Sequence, residues 1–130
     1  MGTARTYVWT ESDAVVAYFS LSPNEVRREA LPSTLRHGAP YAIPAILLAR
    51  LALDRSLQGT GLGSRLLLDA LSRATEGIEM VGGRLLVVDA IDEQSMRFYE
   101  RHGFRAMPSR PARLYRKGSD ITAALARRST

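Results

Sequence analysis

The chain contains no cysteine. Disulfides, thiolate metal sites and a cysteine nucleophile are therefore all excluded. Histidine is scarce as well. With only His37 and His102 present, a zinc site is not expected. Lysine is reduced to Lys117. No apolar stretch approaches the roughly 20 residues that a membrane-spanning helix needs. Met1–Arg5 is not followed by the apolar core of a signal peptide, so a cytoplasmic protein is expected.

What is present describes an ordinary globular chain. Its 130 residues suit a single domain, 1–130, with 118–130 as a C-terminal tail. Hydrophobic residues make up 45% and charged residues 24%, which is typical of such a domain. The net charge is +5 and the pI about 10.2, carried almost entirely by arginine. That balance favours anionic partners, either the phosphates of a coenzyme or a nucleic acid. An arginine preference inherited from a GC-rich genome would produce the same balance.

Arg5–Trp9 and Ala14–Ser22 are rich in Val, Tyr and Phe and flank Glu11-Ser12-Asp13, which has turn chemistry. They read as a hairpin. Pro23–Pro44 holds four prolines and reads as a long connection with a short helix at Asn24–Glu29. Ala45–Leu53 is an apolar strand broken by one charge, Arg50. From Leu62 the period becomes helical: Leu62, Leu66, Ala70, Ala74, Ile78 and Val81 share one face. Gly82-Gly83 should end that helix, and Gly77 is a weak point within it. Arg84–Ala90 reads as a buried strand. Asp92 should cap a short helix, Glu93–His102, with Gly103 as its terminator. Phe104–Met107 and Arg113–Lys117 read as a last hairpin, and Asp120–Arg128 as a short basic helix. The order predicts a mixed α/β domain with two helices packed on one sheet.

Gln58-Gly59-Thr60-Gly61-Leu62-Gly63, followed by Ser64, lies between the apolar strand and the long helix. Glycines let the backbone approach a phosphate closely. The first amides of the helix lack intrahelical partners, and the helix dipole adds partial positive charge there. A nucleotide P-loop would need a lysine that this loop does not have. A dinucleotide fingerprint would need its last two glycines three apart; here Ser64 holds that place. A glycine turn that merely links strand to helix is the plain alternative.

These residues, with Leu51-Ala52-Leu53-Asp54 before them and Phe98-Tyr99-Glu100-Arg101-His102-Gly103-Phe104 after them, resemble the GCN5-related N-acetyltransferase superfamily. Gln58–Gly63 matches its Gln/Arg-x-x-Gly-x-Gly/Ala signature. Arg5-Thr6-Tyr7-Val8, Glu29-Ala30-Leu31-Pro32 and Ala49–Arg55 with Gln58-Gly59 further resemble the acetyltransferase toxins of bacterial toxin–antitoxin modules. The resemblance implies a mostly antiparallel mixed sheet with helices packed on it. It implies acetyl-CoA as co-substrate, the α-amino group of aminoacyl-tRNA as acceptor, a ribbon-helix-helix antitoxin as partner, and no metal. Superfamily members usually begin with a strand and helices before the hairpin. Here the hairpin starts almost at Met1, so that unit is expected to be absent and a homodimer to cover the sheet surface left open. Acetylation of a small or protein amine, or coenzyme binding without turnover, are the rival functions.

The resemblance also assigns roles. Leu51, Ala52 and Leu53 would lie along the pantetheine arm, and Gln58, Gly59, Thr60, Gly61, Leu62, Gly63 and Ser64 would hold the diphosphate. Tyr99 would give a proton to the departing thiolate. On its helix position alone it would be a core tyrosine. Arg50 either pairs with an acid such as Asp89 or meets tRNA phosphate. From their place in the long connection, Arg27, Arg28 and Arg36 either extend a phosphate-binding surface or form only a solvated face. Glu29, Asp54 and Asp89 are equal candidates for a base, which an α-amine of pKa about 7.7–8.0 scarcely needs.

Overall fold

The computed structural model describes residues 4–81 and 84–128. Six strands form one sheet in the order β1-β2-β3-β4-β6-β5. They are β1 Arg5–Glu11, β2 Ala14–Arg27, β3 Ala42–Leu53, β4 Leu85–Asp89, β5 Arg105–Met107 and β6 Arg110–Lys117. All neighbours are antiparallel except β3 and β4. The helices are α1 Ser33–Arg36, α2 Leu62–Val81, α3 Glu93–Arg101 and α4 Gly118–Arg128.

The opening hairpin turns through Ser12 and Asp13, both at positive φ (50° and 67°). Such turns match the twist of the strands they join. The expected helix at Asn24–Glu29 does not form. β2 instead runs to Arg27, pairing with β3 as far as Ala42, and only a 3-10 turn follows at Arg28–Ala30. Cross-strand pairing and the burial of Val26 override the local signal. Pro23 does not end the strand, because past Leu21 no strand among the described residues lies on the outer edge of β2. The long connection thus shrinks to residues 28–41, and β3 begins three residues earlier than expected.

Helix α2 buries Leu66, Ala70, Ala74 and Ile78 of the expected face, with Leu67 and Leu71 buried beside them, while Leu62 is half-buried. Gly77 lies against the sheet, 3.5 Å from Ile46 at the place a Cβ would occupy. A side-chain methyl there would make ordinary contact, so the glycine remains a soft point of the helix by propensity alone. Val81 and the expected stop at Gly82-Gly83 fall outside the residues whose side chains or backbone are described. Alternation along the strands divides the core in two. Leu86, Val88, Phe19 and Leu114 face α2, α3 and α4. Leu85, Val87, Val26 and Tyr115 face the 28–41 segment through Leu31 and Ala39. Three helices, not two, therefore cover the first face.

Candidate active site

The site forms where the parallel pair comes apart. β3 and β4 are joined only from Ala45–Leu48 to Leu85–Val88. At that point the register of β2 and β3 slips, Ser20 facing Arg50 and Leu21 facing Leu48, so Ala49 bulges. β4 meanwhile leaves towards α3. From Ala49 onward no strand among the described residues lies against the inner edge of β3, while Leu51, Ala52 and Leu53 stay paired to Phe19, Tyr18 and Ala17 on the other side. An unpaired strand edge receives an extended amide-bearing chain as an added strand would be received.

The glycine loop closes the mouth of this cleft. Asp54 accepts from Ser56 N at 3.0 Å and caps a 3-10 turn at Arg55–Leu57. The Ser56 hydroxyl above all, and then that amide, hold the Asp54 carboxyl below the usual range. Gln58 Nε2 donates to the Leu53 carbonyl at 3.0 Å, and the Thr60 hydroxyl donates to the Leu57 carbonyl. The two side chains are thus spent on shaping the loop. Gly59 and Gly61 have φ of +78° and +84°, which disfavours side chains there. Nothing lies within 4 Å of where their Cβ atoms would stand. The loop is therefore open above its backbone. Gly63 and Ser64 form the first turn of α2, whose free amides can take an anion.

Tyr99 approaches from α3. Asp92 caps that helix with Ser95 in a reciprocal capping box, the Ser95 amide donating at 2.7 Å. At the other end Gly103, at φ +89°, lets Phe104 N donate to the Tyr99 carbonyl at 3.1 Å and Gly103 N to the Glu100 carbonyl at 3.1 Å. The paired bonds are a Schellman stop. The Tyr99 and Phe104 rings touch edge to face at 5.6 Å. Tyr99 is 8% exposed, and none of the described residues forms a hydrogen bond with its hydroxyl. Burial pushes the phenol up to about 12, so it is a protonated donor at neutral pH.

Other expected residues lie elsewhere. Asp89 is not the partner of Arg50. Arg113 takes it in a two-pronged pair, Nε to Oδ1 and Nη2 to Oδ2, both 2.8 Å. The Arg113 hydrogen bond holds the Asp89 carboxyl below its ordinary value, which makes it a poor base. β6 pairs directly with β4 and sets Arg113 opposite Asp89, a register the sequence did not reveal. Arg50 is exposed, without an ion pair among the described residues. Arg27 sits over Tyr41 and beside Glu25, Arg28 donates to the Ala39 carbonyl, and Arg36 donates to the Leu31 carbonyl. These three stand at the Ala42 end of β3, roughly 35 Å along the strand from the glycine loop. Glu29 is exposed in the 3-10 turn at the same end. His102 is the C-cap of α3, and its Nε2 lies 3.1 Å from Ser64 Oγ. Sequence reasoning did not find that contact. Among the described residues no group of three His, Asp or Glu could hold a metal, and no helix is long and apolar enough to cross a membrane.

A splayed parallel pair, an open glycine loop at its mouth and a buried phenol on the neighbouring helix define an acyl-CoA N-acyltransferase fold. The family model of the acetyltransferase (GNAT) domain matches residues 2–106, and the chain belongs to that family. It is 35% identical over 113 residues to the tRNA-acetylating toxin of Mycobacterium tuberculosis, covering 87% of this chain and 68% of that one. Among solved structures, AtaT complexed with acetyl-methionyl-tRNAfMet superposes with a TM-score of 0.84 at 31% identity, covering 94% of this chain and 75% of the other. The AtaT toxin in a Tyr-to-Phe form, bound to the C-terminus of the antitoxin AtaR and to acetyl-CoA, gives 0.71 at 28%, covering 85% and 64%.

Proposed function

We propose that this chain acetylates the α-amino group of aminoacyl-tRNA with acetyl-CoA, as the toxin of a toxin–antitoxin module. The observation that carries the proposal is the free inner edge of β3 ending at the open glycine loop. Its strand–loop geometry suits a coenzyme with an amide-bearing arm and a diphosphate. The tRNA acceptor is supported by the named activity of the Mycobacterium tuberculosis relative and by the ligand of AtaT.

The roles follow. The edge of Leu51, Ala52 and Leu53 bonds the pantetheine amides. The backbone of Gly59–Ser64 holds the diphosphate, with Gln58 and Thr60 bracing the loop. Acetyl-CoA supplies an activated carbonyl. As the amine forms its C–N bond and the C–S bond breaks, Tyr99 gives its proton to the departing sulfur, and the amine's surplus proton restores the phenol through solvent. Arg50, exposed and without an ion pair among the described residues, is the acceptor-side cation for a tRNA phosphate. Arg27, Arg28 and Arg36 form an outlying phosphate surface. We assign the chain a cytoplasmic location, a single domain, no metal, an antitoxin partner of the ribbon-helix-helix kind, and a homodimer. The dimer is supported by Val8 and Val15, 52% and 57% exposed on the outer hairpin.

Incubating the protein with acetyl-CoA and charged tRNAs tests the reading. Free thiol and N-acetylated aminoacyl-tRNA are expected. Thiol release with small amines, but none with charged tRNA, would refute the acceptor.

A further inference from the structure

At the end of the sheet far from the glycine loop, a hollow of about 370 Å³ opens between the 31–39 segment, the last turns of α2 and the start of α4. Leu31, Leu35, Ile43, Ile78 and Leu85 form its wall, and all but Leu35 belong to the buried core. A packed core leaves few voids larger than a water molecule. Ligand pockets measure about 300–1,000 Å³ and are mostly apolar, with a few placed polar groups. The hollow is of the second kind. It lies roughly 33 Å from Leu53, since Ile43 stands ten residues earlier on β3, and so it is no part of the candidate active site.

Arg84 and Lys117 also line it, and among the described residues no carboxylate does. Both are exposed, which sets their charges at the mouth. The Arg84 backbone is fixed on two sides: its amide donates to the Pro44 carbonyl at 3.0 Å, and its carbonyl accepts from Gly118 N at 2.7 Å. Gly118 opens α4 so close by that a Cβ would stand 3.3 Å from the Arg84 carbonyl oxygen and 3.3 Å from Ile78 Cγ2. Glycine there brings the cation and the apolar wall together. Lys117 Nζ lies 4.0 Å from an Asp120 carboxylate oxygen. Arg84 has no ion pair among the described residues. Of these three charges, one positive charge is left without a counterpart.

An apolar hollow with one spare positive charge at its mouth suits an apolar chain that ends in one negative charge. A guanidinium takes a carboxylate through two parallel N–H···O bonds. A phosphate dianion would need a second cation, and Asp120 already engages the other one. We infer that this hollow is a separate ligand site for a medium-chain fatty carboxylate, its chain against Leu31, Ile43, Ile78 and Leu85 and its carboxylate on Arg84. The site takes no part in acyl transfer and does not depend on the coenzyme assignment.

Calorimetric titration with hexanoate, octanoate and decanoate, each below its micelle concentration, tests this, with decanol as the uncharged comparison. Affinity should rise about three- to fourfold with each added methylene. Decanol should bind at least about tenfold more weakly than decanoate. Arg84→Gln should bring decanoate down to the affinity of decanol. Thr122→Trp, at an exposed lining position, should fill the hollow and abolish binding of both. A melting curve shows that each variant is folded, and an unchanged rise of Tm with acetyl-CoA shows that the coenzyme site is untouched. No saturable binding at any chain length, or an affinity indifferent to length, overturns the inference. Decanoate binding that survives Thr122→Trp also overturns it, because the ligand then lies elsewhere. If no carboxylate binds and Thr122→Trp halves the sedimenting mass, the hollow belongs to a second copy of the chain and the inference falls.

Discussion

Tyr99→Phe separates chemistry from packing unusually cleanly in this fold. The ring is wedged among Phe98, Phe104 and the α2 face of the core, and phenylalanine keeps all of that contact. The hydroxyl has no protein partner among the described residues, so deleting it breaks no internal bond. Stability should change by no more than about 0.5 kcal/mol. That corresponds to a shift of roughly 1–2 °C in Tm. The loss in turnover is set by proton donation to the thiolate, about 100- to 10,000-fold, or about 3–5 kcal/mol of barrier. The assay is single-turnover thiol release with saturating acetyl-CoA and charged tRNA, beside a melting curve of each protein. A variant within about threefold of wild-type turnover refutes the acid role. A second readout comes from pH. The folded phenol titrates at about 12, above the roughly 10 of an unfolded tyrosine. The stability that this group contributes is present below pH ~10 and lost as pH rises through about 12. Tyr99→Phe should lack that component of the alkaline decline.

Four further outcomes follow from the same geometry. Asp89→Asn should change the acid limb of the stability curve. The folded carboxyl is depressed by Arg113, so its contribution is present above the unfolded pKa of about 3.9 and lost as pH falls below it; a chemical-denaturation series from pH 6 to pH 2.5 reads this. Gly103→Ala, at φ +89° and against Arg116, should cost about 1–2 kcal/mol, seen as a lower denaturation midpoint. Gly61→Ala sets a Cβ in open space, so its effect should appear as a reduced rise of Tm with acetyl-CoA, beyond a strain penalty of about 1–2 kcal/mol. Leu67→Ala, at a position with 0% exposure, should lose about 2–5 kcal/mol; a loss under 1 kcal/mol would mean that this core is not packed as described.

Much of the site is local, and local features were legible in the amino-acid order. The period of α2, the Asp92 cap, the Gly103 stop and the spacing of Gly59, Gly61 and Gly63 depend on contacts within a few residues. Tyr99 could be singled out because Phe98 and Gly103-Phe104 surround it in sequence. The pairing of Asp89 could not, because Arg113 is 24 residues away and meets it only when β6 crosses back onto β4. The strand character of Asn24–Arg27 was hidden for the same reason: a short polar stretch gains its hydrogen bonds from a β3 partner far along the chain. So the amino-acid order by itself determined most of the elements, the glycine loop and the candidate acid, through periodicity, capping and backbone freedom at glycine. Only the tertiary structure decided where β3 and β4 part and which arginines are spent on acids or carbonyls. Those are sums over residues distant in sequence, and only packing brings them within a few ångströms.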